Sequence, residues 1–385
     1  MVSISSQSPS TSKDSPRRTT TATEKVPQIF NHDIMTCTAD GVVGNELYSG
    51  RALGITSKED IIQLSPKLKS EWKAILNHYG HIGLSHTRHV IWDTDLNHIQ
   101  ARHGYRPSVF FFGDQESKIH NNPAWAEVVT LTNSKNSFMS LADELGVPVP
   151  NTQCFDRAEN ITSEMADGFS YPCYLKASIS VSGAGIFRCT SAAQLMQSVA
   201  TFAPETPVQV QEEVVTDCFL NMQYQVSEGK CKRLLVTEQI LEGTAHQGNV
   251  FPARHTPWDV VEPMAKWMAQ HGFNDIFAFD VAVIEKDGKT SFLAIECNPR
   301  FNGASYPTAI ALKLKIRQWS SLNVSTRHRH LADINLSGLE YNPLTGEGII
   351  IVNWGPVLAG KLMVMLAGPQ NIRQELEKEL VKRLW

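Results

Sequence analysis

The chain has no pair of cysteines at CxxC spacing; its seven cysteines, at 37, 154, 173, 189, 218, 231 and 297, are scattered and odd in number. That argues against a structural zinc site and a disulfide framework, and it suits a reducing compartment. No apolar run reaches the roughly 18 residues of a membrane span, and the N-terminus lacks the apolar stretch of a secretory signal. Charge of one sign is scarce as well: 35 Lys+Arg against 39 Asp+Glu leave a net charge of -4. A protein that coats nucleic acid is usually strongly basic, so no nucleic-acid partner is expected. GVVGNELYSG (41–50) is a loose glycine cluster rather than a GxGxxG fingerprint opening a helix. What is present, 385 residues with 42% hydrophobic and 19% charged content, describes a globular cytoplasmic chain of two or three domains.

Composition and periodicity divide the chain. Residues 1–27, rich in Ser, Thr and Pro, bury too little to offset chain entropy and are expected to be disordered. Residues 28–130 read as a small α/β domain, with a helix at 68–80 and strands at 108–114 and 127–131. A helix follows at 134–146, closed by Gly146 and Pro148. Strand–loop–strand at 171–189, a helix at 191–202 and a strand at 208–215 come next. Then come a hairpin over 219–241, a helix at 259–272, a hairpin over 277–299 and a helix near 305–319. Residues 326–385 supply a last β unit and a helix whose Ile372, Leu376, Leu380 and Leu384 recur every four residues.

Four stretches could carry chemistry. Ser178 to Gly185 is a small-residue loop between two strands, two residues after Lys176. Such a loop can close backbone N–H groups on phosphate oxygens, or it can be an ordinary connection. Lys176 follows Tyr174-Leu175 in an apolar strand, where it either snorkels from a sheet edge or meets a bound anion. In VQVQEEVV, Glu212 and Glu213 face opposite sides of a strand, so one can enter a cleft while the other stays in solvent. Residues 241–258 read as a polar loop offering His246, Gln247, Asn249, Arg254 and His255 to a carboxylate or an amino acid.

The hairpin 277–299 makes the strongest local case. Asp280 sits mid-strand between Phe279 and Val281, where a carboxylate is unexpected without a partner. A three-residue loop, Asp287-Gly288-Lys289, sets Asp280 directly opposite Glu296, with Asn298 on the same face. A two-residue loop puts the two acids on opposite faces. In the first register the opposed carboxylates need something positive between them. A hard divalent cation meets that need, and Arg300 just past Pro299 can aim at the same place.

In order and spacing these elements resemble the ATP-grasp superfamily over residues 130 to 315, about half the chain. The resemblance implies two α/β subdomains clasping ATP, preceded by a small α/β pre-ATP-grasp domain. It places the ATP-grasp domain at 131–325, its lid at about 150–215, and a completing unit at 326–385. LTNSKNSFMSLADELGVPVP is similar to the family's entry segment, which makes Lys135 an ATP ligand. YPCYLKASISVSGAG is similar to the strand lysine and triphosphate loop, giving those roles to Lys176, Ser182, Gly183 and Gly185. VQVQEEVV looks like the adenine hinge, with Glu212 accepting from the adenine amine and backbone groups of Glu213 and Val215 completing the contact. AFDVAV and AIECNPR are similar to the metal-binding strands: Asp280, Glu296 and Asn298 would hold Mg²⁺, with Mn²⁺ as a substitute, and Arg300 would stand near the transferred phosphate. The loop glycines are partly replaced, and the ribose-binding acid is absent, with Asn221 in its place.

The chemistry implied is acyl phosphate formation followed by displacement by an amine, with Arg300 and Lys176 as catalytic groups and His246, Gln247, Asn249, Arg254 and Arg300 facing substrate. The absence of a long C-terminal extension of the biotin-carboxylase type argues against bicarbonate. A carboxylate–amine ligase of amino-acid or natural-product metabolism is expected, and a homodimer is compatible with that family. The alternatives are a carboxylase or kinase of the same fold, or a non-catalytic ATP-binding scaffold.

Overall fold

The computed structural model describes residues 26–38, 43–100, 102–180, 185–243 and 245–385. Nearly all of the 1–27 tail lies outside the described residues. Among the described residues, no helix is long and apolar enough to cross a membrane.

Three sheets follow one another along the chain. The first is parallel: β1 (Gln28–Asn31), β2 (Ile61–Gln63), β3 (His89–Ile91) and β4 (Arg106–Val109) in the order β3-β2-β1-β4. The second is antiparallel: β5 (Thr152–Phe155), β6 (Cys173–Ala177), β7 (Ile186–Cys189) and β8 (Val208–Glu212) in the order β5-β8-β6-β7. The third has eight strands: β9 (Phe219–Ser227), β10 (Lys230–Glu242), β11 (Ala245–Phe251), β12 (Asp275–Lys286), β13 (Lys289–Asn298), β14 (Trp319–Ser325), β15 (Gly348–Asn353) and β16 (Lys361–Ala367). Its order is β13-β12-β9-β10-β11-β14-β16-β15.

Burial explains the assembly. Phe277 and Phe279 alternate on β12 with Ala278, and all three are fully buried, as expected of a central strand covered on both faces. Tyr224 stacks on Phe277 at 5.3 Å, beneath helix Trp258–Gln270, whose Val261, Met264 and Met268 share one face. The C-terminal strands are not an appendage. Ile349 to Val352 and Met365 pack into one core with Phe30 and Ile62 of the first sheet and with Leu53 and Tyr79 of the helices beside it. Tyr79 Oη donates to the Ile351 carbonyl at 3.1 Å across that seam.

Five expectations give way here. Residues 127–131 are helical, inside helix Pro123–Asn133: the Asn122 side chain accepts from the Trp125 N–H, Pro123 occupies the first turn, and Trp125, Val128, Val129 and Thr132 are buried at helical spacing. Cap and period override the β-branched pair. The strand expected at 108–114 stops at Val109, and a helix begins at Asp114 behind Gly113, whose N–H donates to Glu116 Oε2. The strand at 208–215 ends at Glu212, without the Val214-Val215 continuation. The helix near 305–319 stops at Leu314, where Lys315 turns left-handed at φ 58°. The polar loop expected at 241–258 is strand over half its length, as the end of β10 and the whole of β11, paired as Glu238↔Val250 and Leu241↔His246.

Candidate active site

The register of the β12–β13 hairpin decides where the carboxylates face. Its turn is the two-residue form: Asp287 and Gly288 are both left-handed (φ 52° and 71°) and Lys286 pairs with Lys289. The three-residue loop that would set Asp280 opposite Glu296 is therefore not what forms. The two acids nevertheless pair, because the register shifts between Val281↔Ala294 and Asp280↔Glu296, leaving Ile295 as the extra residue of a β-bulge. A bulge re-aims the rest of β13, so Glu296 and Asn298 turn to the Asp280 face.

Polar side chains then converge on Asp280. Its Oδ1 accepts from Asn221 Nδ2 (2.8 Å) and Gln239 Nε2 (2.6 Å), and its Oδ2 accepts from Asn298 Nδ2 (3.0 Å). Glu296 Oε2 lies 3.1 Å from Lys135 Nζ, at the start of helix Lys135–Leu145. The Ser134 cap of that helix meets Ser178 Oγ at 2.9 Å, and Lys135 Nζ also donates to Ser180 Oγ at 3.1 Å. Helix, Ser178, Ser180 and carboxylate are thus tied at one point. Lys176 is buried on β6 and donates to Gln211 Oε1 at 2.6 Å. Arg300 Nη1 donates to Asn298 Oδ1 at 2.9 Å.

The electrostatics are unbalanced. Burial, and then the facing Glu296, push the Asp280 carboxyl up; burial would raise Glu296 too, but Lys135 and Lys176 hold it below the usual range. Burial lowers Lys176 to about 8, with Glu296 opposing that fall. Among the described residues no group of three His, Cys, Asp or Glu could hold a metal. Two carboxylates and an amide oxygen are nevertheless a hard donor set, one that fits Mg²⁺ completed by water and phosphate oxygens.

Two cavities meet at this pair. One, of about 540 Å³, is lined by Arg51, His246, Arg300 and Tyr306; the other, of about 420 Å³, by Tyr174, Lys176, Glu212, Val215 and Phe219. Lys135, Gln239, Asp280 and Glu296 line both. Glu296 keeps 31% side-chain exposure, so the carboxylate opens into this space. Gly303 closes one side: a Cβ there would come within 2.8 Å of the His246 ring. Burial lowers the pKa of His246, whose Nε2 meets Asn249 Oδ1 at 2.7 Å.

Not every expected residue arrives. Asn221, expected at the ribose, lies under Asp280 and lines the other cavity. Glu213 does line the smaller cavity with Glu212 and Val215; its carboxylate pairs with Arg188 at 2.5 Å and its N–H donates to the Pro172 carbonyl, which leaves its carbonyl as the backbone group toward a ligand. Gln247 turns outward to Glu242, Arg254 is held by Glu238 outside both cavities, and Asn249 is fully buried behind His246. Gly185 sits at φ 75°, its carbonyl accepting from Ala177. Ser182 and Gly183 lie outside the described residues. Sequence reasoning missed Gln211, Gln239 and Arg51; only the alternation of Thr237, Gln239 and Leu241 along β10 hinted at an inward face.

No protein-family model matches the sequence, and no curated protein matches it. Solved structures do match. N5-carboxyaminoimidazole ribonucleotide synthetase from Thermus thermophilus superposes with a TM-score of 0.58 at 12% identity, over 93% of this chain and 98% of that one. The Staphylococcus aureus N5-carboxyaminoimidazole synthetase, complexed with ADP, gives 0.58 at 11% identity over 93% and 96%. Biotin carboxylase from Campylobacter jejuni, in a β,γ-ATP complex, gives 0.50 at 15% over 68% of each chain. The chain has the ATP-grasp fold. One expectation loses its basis: lacking an extension of the biotin-carboxylase type does not argue against bicarbonate, since proteins with carboxylating names share this ATP-grasp fold over nearly their whole length.

Proposed function

We propose that the chain is an ATP-dependent carboxylate–amine ligase that releases ADP and phosphate. The observation that carries this reading is the Asp280–Glu296 pair at the junction of two cavities, one with Lys176 and the hinge residues, the other with Arg300. In this reading ATP fills the smaller cavity, with its base against Tyr174, Phe219 and the Glu212–Val215 segment. Lys135 and Lys176 hold the phosphates. Asp280, Glu296 and Asn298 would hold Mg²⁺, which neutralises phosphate charge as it develops.

Arg300 orients a substrate carboxylate so that one of its oxygens attacks the terminal phosphorus, and ADP leaves. The acyl phosphate formed stays against Arg300 and Lys135, shielded from water by the walls of the cavity. An amine nitrogen then attacks the carbonyl carbon, the C–O bond to phosphate breaks, and the nitrogen loses a proton. His246, neutral and lining that cavity, stands where it can take this proton. An amino acid as the amine fits the polar lining.

Carboxylation is the second reading, favoured by the printed names of the structural neighbours. Incubation with ATP, Mg²⁺ and mixed acids, amines and bicarbonate separates the two: ADP, phosphate and a new amide support the first, and bicarbonate-dependent carbamate supports the second. ADP release that survives Glu296→Gln or Arg300→Ala at the wild-type rate sinks the site assignment.

A further inference from the structure

Arg51 is a buried cation. It lies on the 3-10 helix Asn45–Ile55, is 7% exposed, and forms no ion pair among the described residues. Its Nε and Nη2 are buried with no hydrogen-bond partner. Rings surround it instead: the guanidinium carbon is 3.9 Å from the centroid of Phe110, 4.8 Å from Tyr306 and 5.3 Å from Tyr48. Cation–π contact offsets part of the desolvation and leaves the charge unneutralised.

Among the described residues no carboxylate forms an ion pair with Arg51. Arg300 is near enough to repel it, and burial keeps Tyr306 and Cys37 in their neutral forms, Cys37 being pushed up to about 11. Asp33 feels the Arg51 charge, but burial pushes its carboxyl up and it accepts from the Met35 N–H at 2.9 Å, while Glu116 accepts from the Gly113 N–H at 3.1 Å. Tyr306 Oη is held at 2.8 Å by His32, whose Nε2 meets Ser108 at 3.1 Å, and burial followed by Arg51 keeps His32 uncharged. In the same cavity Asn302 Nδ2 is a second buried donor with no partner.

We propose that Arg51 and Asn302 form a subsite for an oxyanion, a carboxylate or a phosphate, carried by the substrate at a position remote from its reacting group. The substrate is then a small doubly functional acid: one group reacts beside Glu296 and Arg300, while the other neutralises Arg51. That the bound molecule is a substrate rests on the ligase reading; that the subsite takes an oxyanion does not. Neutral analogues would leave the guanidinium buried and unpaired, so the subsite selects against them.

Thermal unfolding with glutarate, glycerol phosphate and neutral glutaramide as probes tests this. It is run with and without Mg²⁺ and a non-hydrolysable ATP analogue, which occupies the other anion site. At least one acid should stabilise the wild type while glutaramide does not, and the acid that acts distinguishes carboxylate from phosphate. Arg51→Met should bind that acid about tenfold or more weakly, with stabilisation by the nucleotide analogue unchanged, and Arg51→Lys should fall between the two. The subsite is overturned if neither acid acts on the wild type, or if both variants bind the acid as the wild type does. Failure of the nucleotide analogue to stabilise the wild type counts against the ligase reading instead, and the acid comparison on nucleotide-free protein still decides the subsite.

Discussion

Lys135→Met tests whether the lysine acts through Glu296. The two groups are 3.1 Å apart, and at an effective dielectric near 20 their attraction is about 5 kcal/mol before desolvation. Breaking a buried pair from one side costs about 3–5 kcal/mol. Glu296 opens into a cavity and keeps Lys176 and Arg300 nearby, so a loss of about 2 kcal/mol is expected. Glu296→Gln removes the same attraction but also relieves Asp280, and should change nucleotide-free stability by less than about 1 kcal/mol. In the Glu296→Gln background, Lys135→Met should then cost under about 1 kcal/mol, a coupling of 1 kcal/mol or more. Urea unfolding of the four proteins, followed by tryptophan fluorescence, measures the cycle. Additivity within about 0.5 kcal/mol would refute the argument, since it would mean Lys135 stabilises the fold through something other than this carboxylate.

Arg300→Ala should lower turnover by about 10²–10³-fold while leaving nucleotide affinity little changed, as read by ADP release and by calorimetric titration. Phe279→Ala, which empties a fully buried site between Phe277 and Tyr224, should cost about 3–5 kcal/mol in urea unfolding. His120 is packed against Phe112 and Trp125, and burial lowers its pKa to about 4. Its folded value lies below the unfolded 6.5, so the unfolded chain binds more protons between the two; stability is full above 6.5 and falls as the pH drops toward 4. His120→Gln should flatten the stability profile across that window, which unfolding at successive pH values would show. Removing Mg²⁺ with a chelator should weaken ATP binding in the wild type and make no difference in Asp280→Asn.

The ordered elements that carry strong local signals were legible. Helix Lys135–Leu145 has a Ser cap, an apolar face at Phe138 and Leu141 and a closing glycine, and it forms as read. The strand–loop–strand around Lys176 and the acid pair on β12 and β13 were equally visible. Helix Pro123–Asn133 is the exception, since its Asn122 cap, Pro123 and helical spacing were present in the sequence and were masked by the β-branched pair. Long-range consequences were not legible. The Ile295 bulge leaves no mark in FLAIECNPR, yet it alone reconciles a two-residue DG turn with facing carboxylates. Gln239 and Gln211 are ordinary alternating polar residues until their strand neighbours are known. Arg51 comes from a segment with no chemical motif, carried to the cavity by the packing of the first sheet against the C-terminal strands.

In the proposed reaction a carboxylate attacks ATP and becomes an acyl phosphate. Once a substrate acid has been found, turnover with that acid labelled in both carboxyl oxygens by ¹⁸O tests it most directly. Each phosphate released should carry one ¹⁸O, in an amount equal to the ADP formed and to the new amide. Unlabelled phosphate, or AMP and pyrophosphate in place of ADP and phosphate, would contradict it.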